Sequence, residues 1–237
     1  MSTASVQIPM EDLITRQINF WEKSRKKPFV QKTLHYKNLT ISQQSGSNGI
    51  KLGQAIARRL NWQLYDKEIV NYIAENTQVR KHMVELFDEK TRTEMDTLIS
   101  TVLDRNAINK EIYLRQLTKT IVTLGRHGNA VIIGRGGHFI LPDTMALKIC
   151  ILRDFSDRVN EITEKSGDAS FAEKELKKND IMRSLFIRKN FGKDADSPAH
   201  FDLIVNLSKI DLETAENIIV HALCAKYSLS EEELKEK

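Results

Sequence analysis

The sequence predicts an α/β fold, a doubly wound and mostly parallel sheet covered by helices on both faces. Three observations carry that expectation. Continuous apolar runs, Ala130-Val131-Ile132-Ile133 and Leu147 to Leu152, are what strands buried on both faces require. Long stretches between such runs carry apolar residues at 3.6-residue spacing, the mark of covering helices. Strands and helices also alternate along the chain, an order that winds a parallel sheet and places ligands at the carboxyl ends of its strands.

A chain of 237 residues suffices for one large domain and is too short for two with a linker. Its 36 basic and 32 acidic residues leave a formal charge of +4, too small an excess to demand a nucleic-acid partner but compatible with a local anion site. Cys150 and Cys224 stand in no CxxC or Cys/His cluster, so neither a disulfide scaffold nor a zinc site is expected. No run approaches about 18 apolar residues, and the polar start, Met1 to Gln7, has no cationic stretch leading into an apolar one. These features predict a soluble, cytoplasmic protein without a membrane partner.

The elements follow in order. A first helix, about Met10 to Lys23, presents Met10, Leu13, Ile14, Ile18 and Trp21 on one face. It precedes the main fold and is a candidate surface for a partner or a second copy of the chain. Beyond a basic connector, Ser24 to Lys27, Leu39 to Ser42 reads as a short buried strand. Gly46, Gly49 and Gly53 then punctuate a turn opening into a helix with Leu52, Ile56 and Leu60 on one side. A second strand covers Gln63 to Tyr65, and Asp66 is placed to cap a helix bearing Ile69, Val70, Ile73 and Ala74. The middle is helical, with Met95, Leu98, Ile99, Val102 and Leu103 in one set and Leu114, Leu117, Ile121 and Leu124 in another. A charged, exposed helix runs from about Ala172 to Asn190. The last strand, Leu203 to Val205, leads to a helix with Leu212, Ala215, Ile218, Ile219 and Ala222 on its apolar side, and the tail after Ser228 is expected to fray.

The chemistry is concentrated where the first strand meets its helix. Ser45-Gly46-Ser47-Asn48-Gly49 is placed to turn backbone N–H groups toward an anion at a helix start. A strand-to-helix turn of no further role is the competing reading. The full phosphate-loop pattern, G-x-x-x-x-G-K-[ST], is not met, because Ile50 and Lys51 stand where lysine and a hydroxyl residue would follow Gly49.

The segment Thr40 to Gly49 with Leu52-Gly53 and Ala57-Arg58-Arg59-Leu60 resembles the loop and first helix of the cytidylate kinase-like family. Leu64-Tyr65-Asp66-Lys67-Glu68-Ile69, Val131 to Gly137, Asp180-Ile181-Met182-Arg183 and Phe201 to Asn206 match that family's further signatures. The likeness spans nearly everything from Leu39 to Leu223. It implies a P-loop NTPase fold with an N-terminal extension (1–36), a kinase-like domain (37–227) and a flexible tail (228–237). Within the domain, 67–128 would be the helical acceptor-binding region and 164–200 the lid.

The resemblance further implies ATP-dependent phosphoryl transfer to a nucleoside monophosphate, CMP or dCMP first, with magnesium as cofactor and a small-molecule nucleotide as partner. Gly46, Ser47, Asn48 and Gly49 would cradle the donor phosphates, with Lys51 adding charge. Arg135, Asp66 and Arg80 would serve the acceptor, and Arg183 and Arg188 would close over the phosphates. The chain departs from the family at Asn48, which replaces a glycine, at Ile50, where arginine is usual, and at Lys51, where an acid is usual. Gly136 also stands where cytidylate kinases carry an aspartate, and no residue is assigned as a metal ligand. These departures favour an alternative, a regulatory nucleotide-binding module that keeps the fold with little catalysis.

Each residue also has a plainer reading. Arg135 could form a surface ion pair, Arg183 and Arg188 a solvated helix face, and Asp66 a helix cap. Asp154 reads as a cap or a partner in a local ion pair. His82, His127 and His138 share no ligand spacing and read as structural histidines.

Overall fold

The computed structural model describes residues 9–25, 36–105 and 112–236. The start, Met1 to Gln7, the end of the basic connector, Lys26-Lys27, and the side chains of Leu13 and Trp21 lie outside the described residues.

Helix α1 (Met10–Arg25) precedes β1 (Asn38–Gln43), α2 (Gly49–Leu60), β2 (Gln63–Tyr65), α3 (Lys67–Glu75) and α4 (Thr77–Glu85). The long helices α5 (Glu89–Arg105) and α6 (Ile112–His127) lead to β3 (Ala130–Ile133), a short α7 (Gly137–Ile140) and β4 (Leu147–Leu152). Helices α8 (Phe155–Ser166) and α9 (Ala169–Phe191), then β5 (Leu203–Asn206), α10 (Leu212–Tyr227) and α11 (Glu231–Lys235), complete the chain. The sheet has five strands in the order β2-β3-β1-β4-β5, each pair parallel. This is the doubly wound sheet that the apolar runs and alternating elements predict.

Alternate residues of each strand face opposite layers, as the two-residue period requires. Val131 and Ile133 of β3 join Leu39 and Ile41 of β1 and Leu147, Ile149 and Ile151 of β4 beneath α2 and α10. Ala130 and Ile132 face the other way, into a core closed by Ile73, Leu117, Ile121 and Phe191. Fully burying a leucine or isoleucine is worth about 1.5–3 kcal/mol, so the two layers together hold the sheet between them.

Ile14 of α1 is buried in the second core, with Met10 and Ile18 packed against it. Of the apolar face offered to a partner, Met10, Ile14 and Ile18 therefore pack within this chain. The tail departs further from expectation. Helix α11 starts in a capping box, in which Ser230 and Glu233 bond each other's backbone N–H, and Leu234 is fully buried. The Trp62 indole N–H donates to the Leu234 carbonyl at 2.9 Å, and Arg59 grips Glu231 through two bonds of 2.9 and 2.7 Å. The alternating charges that suggested fraying are one face of a docked helix. Leu234→Ala should therefore lower unfolding stability in urea by about 2–3 kcal/mol, whereas a frayed tail would leave the midpoint unchanged.

Candidate functional site

Three segments converge at the carboxyl ends of β1 and β3. The first is the glycine loop between β1 and α2. Gly46 and Asn48 both take left-handed backbone, at φ 74° and 63°, and Asn48 precedes α2 without a side-chain cap. The first-turn amides of α2 therefore have neither an intrahelical partner nor a capping side chain, the arrangement that draws an anion. The loop is tethered on both sides. Gln44 N–H donates to the Ile151 carbonyl at 3.3 Å, and the Ser45 carbonyl accepts from Arg158 at 3.2 Å. A Cβ at Gly49 would meet the Gln43 side chain, whose amide end would have to move aside.

The second segment follows β3. Gly134, Arg135 and Gly136 are successive left-handed residues at φ 77°, 52° and 70°. A non-glycine residue in that region is uncommon and turns its side chain where a regular turn would not. The Arg135 guanidinium lies 5.3 Å from the Phe186 ring centre, and its Nε is buried without a partner. A Cβ at Gly136 would strike the Phe191 ring, so no acid can stand there while α9 keeps its place.

The third is α9. Arg183 donates to Asp196 Oδ1 at 2.7 Å, to Ser42 Oγ at 3.1 Å and to the Ala195 carbonyl at 3.0 Å, which ties the helix to the end of β1. Between the three segments lies a cleft of about 500 Å³, large enough for a nucleotide-sized ligand. Ser42, Gly46, Asp66, Arg135, His138 and Arg183 are among its walls.

The expected site residues divide. Arg135, Arg183, Asp66 and Gly46 line the cleft. Asp66 is also the cap of α3, accepting the Glu68 and Ile69 amides at 2.9 and 3.0 Å through Oδ1. Arg80 is a correction. It is buried, donates to the Ala74 carbonyl at 2.6 Å at the end of α3, and is absent from the cleft wall. Arg188, also absent from that wall, is exposed near the end of α9. Lys51 is paired elsewhere, at 2.9 Å from Glu161.

Glu161 stands in no motif, yet it organises the loop's outer side. Its carboxylate accepts from Asn48 at 3.0 Å, Lys51 and Lys165 at 2.9 Å each, and Arg153 at 3.2 Å. The bond from Lys51, then those from Asn48 and Lys165, hold its proton affinity far below the usual carboxylate range. Only the Lys165 pair, four residues along α8, is visible in sequence; Lys51 is 110 residues away. Arg158 was also missed. It is buried beside the loop and paired with Asp180 of α9 at 2.7 Å.

His82 pairs with Glu22 at 3.3 Å on the surface, and the His127 ring lies tilted against Phe87 with ring centres 4.3 Å apart; neither lines the cleft. Asp154 makes neither a side-chain cap nor a pair with the adjacent Arg153; its ion pair is with Lys209, 55 residues away, at 3.3 Å. His138 differs from these. It is buried in the cleft wall, and burial, helped by Lys148, Arg183 and His200, pushes its pKa down to about 3. Among the described residues, no group of three or more His, Cys, Asp or Glu side chains is placed to hold a metal, and no helix is long and apolar enough to cross a membrane.

A sequence profile of the cytidylate kinase-like family matches residues 38–209. With the parallel sheet, the glycine loop and the cleft already placed, the chain belongs to that family and has a nucleotide kinase-like fold. It is similar to the crystal structure of an uncharacterized protein from Eubacterium ventriosum, at 22% identity over 80% of this chain and 99% of that one, with a TM-score of 0.64. Two shikimate kinases also align. That from Bacteroides thetaiotaomicron is 11% identical over 78% of this chain and 97% of its own, with a TM-score of 0.41. That from Acinetobacter baumannii, in complex with shikimate, is 8% identical over 80% and 93%, with a TM-score of 0.44. No curated protein matches the chain.

The neutral state of His138 has a consequence for acid stability. Its folded pKa lies below the unfolded value near 6.5, so the unfolded chain binds the extra proton and stability falls as pH drops from about 6.5 toward 3. His138→Gln should flatten that dependence by up to about 1.4 kcal/mol per pH unit in urea titrations between pH 4 and 6. Parallel profiles for the two proteins would show that the ring is charged or solvated in the native state.

Proposed function

We propose that this protein transfers the γ-phosphoryl group of ATP to a nucleoside monophosphate, with CMP or dCMP the first acceptor, in the cytoplasm. The single observation that carries the reading is the cleft wall: Gly46 and Ile50, which flank the uncapped start of α2, on one side, and Arg135 and Arg183 on the others. Two phosphate-bearing ligands need such a pair of anion sites facing one space. Phosphoryl transfer asks of the protein mainly positioning and charge around the transferred group.

Under this reading the amides from Gly46 to Gly49 hold the donor phosphates. Arg135, set in left-handed backbone, reaches the acceptor phosphate, and Arg183, fixed by Ser42 and Asp196, neutralises charge between them. Magnesium would enter with the nucleotide rather than reside in a protein cage. The acids in the cleft wall are Asp66 and Glu68, and both cap bonds of Asp66 fall on Oδ1, leaving Oδ2 outside the cap. When bound, the ion neutralises the β- and γ-phosphate oxygens.

A regulatory nucleotide-binding module is the second reading, and one observation favours it. Lys51, the cation nearest the loop along the chain, is held by Glu161 while Gln43 fills the space above Gly49.

Isothermal titration with ATP, with and without magnesium, followed by coupled ADP release across nucleoside monophosphates, separates the two. The kinase reading expects binding and turnover with one acceptor, and Arg183→Ala should lower kcat at least tenfold while changing ATP affinity less than threefold. Binding without turnover for every acceptor favours the module, and no binding at millimolar ATP overturns both.

A further inference from the structure

Two buried nitrogens without a protein partner belong to residues in the same cleft wall: Arg135 Nε and His138 Nε2. Buried polar groups in folded proteins are almost always bonded, so an orphan at a ligand-sized cleft calls for a cause. Arg135 is charged and already suits a phosphate. His138 is a different kind of group. It begins the first turn of α7 beyond the left-handed run, and its ring lies 4.0 Å from that of Phe139 and 4.8 Å from that of Phe201. Those rings pack against the imidazole on two sides. The charged groups around it, Lys148, Arg183 and His200, all oppose a further positive charge.

A neutral imidazole carries one donor and one acceptor nitrogen, so the unpartnered Nε2 offers one or the other and cannot compete for phosphate, which the arginines attract more strongly. Such a group discriminates polar, uncharged features of a ligand. A site built to bond such a feature rejects analogues lacking it, because its own buried group is then left unpaired.

Resting on the kinase reading above, we infer that His138 is a specificity-determining residue of this cleft, hydrogen-bonding the nucleoside part of an acceptor whose phosphate lies on Arg135. The wall then reads as two adjoining subsites, one cationic for a phosphomonoester and one neutral for the hydroxyl or base edge attached to it. A structural histidine would need no such neighbour and would have its ring nitrogens satisfied within the protein.

Titration calorimetry of the full chain with CMP, ribose 5-phosphate and inorganic phosphate tests this with His138→Leu and His138→Gln. Leucine should weaken CMP at least tenfold, leave inorganic phosphate within twofold, and keep or raise the melting temperature, since it removes an unpartnered polar atom. Glutamine should restore part of the CMP affinity. Loss shared by ribose 5-phosphate assigns the contact to the sugar, and loss confined to CMP assigns it to the base; both support the inference. CMP affinity unchanged in His138→Leu overturns it while the kinase reading stands. Equal weakening of CMP and phosphate with a lowered melting temperature overturns it in favour of a packing role. No binding of any nucleoside monophosphate by the unaltered protein removes the kinase reading itself, and this inference with it.

Discussion

Strand β1 is the constraint on which the rest depends. It is bonded along both edges, to β3 and β4, and its residues are buried on both faces. Such a strand cannot slide by one residue without moving its apolar set to the wrong layer. Its register therefore fixes where the chain first escapes the sheet, at Gln43. The neighbouring strands are tied to that same point, since Gly134 N–H donates to the Ile41 carbonyl at 2.9 Å and Gln44 N–H to that of Ile151 at 3.3 Å. The segments that follow β1, β2 and β3 open into one space, with Gly46, Asp66 and Arg135 in its walls.

Charge is organised around that space with one local exception. Three cations, Lys51, Arg153 and Lys165, surround the single carboxylate of Glu161, whose side chain is only 13% exposed. Three positive charges on one negative leave an excess beside the loop, and one of the four bonds donated to Glu161, that from Asn48, ties the left-handed turn to α8. The loop is shaped here by a carboxylate from α8 rather than by its own lysine. Lys51 and Lys165 are solvated and contribute little individually, so the shaping rests on the shielded Asn48 and Arg153 contacts.

The fold was legible because periodicity reports burial. The apolar runs at Ala130–Ile133 and Leu147–Leu152 and the alternation of elements are direct consequences of a sheet covered twice. The ordered signatures from Thr40 to Asn206 likewise pointed to the family. The site was legible in part. Arg135 and Gly46 sit next to strand ends, where chain order alone places ligands, and Arg183 could be anticipated from its charged segment. Arg80 failed because a helical arginine near a predicted acceptor region says nothing of which end of a neighbouring helix it caps. Glu161 and Arg158 were hidden for a related reason: their partners, Asn48, Lys51, Ser45 and Asp180, lie 22 to 113 residues away. His138 looked ordinary because sequence cannot show that a buried nitrogen goes unbonded.

The glycines around Arg135 join the site to α9 mechanically as well as electrostatically. Gly136 leaves room for the Phe191 ring, which stacks on Phe139 with centres 5.1 Å apart, next to His138. Eight residues before Phe191 on the same helix, Arg183 grips Ser42 at the end of β1, and three earlier still Asp180 holds Arg158 beside the loop. Helix α9 is thus fastened at its C-terminal end to the β3 loop and along its middle to the glycine loop. Interiors this closely packed rearrange between discrete arrangements rather than deform smoothly. A ligand that moved Arg135 would press on Phe186 and Phe191, and α9 could yield only by loosening its hold at Ser42 or Asp180. Both ends of the cleft thus rest on one helix, with fifteen residues of it between Leu176, buried over Gly46, and the Gly192 cap.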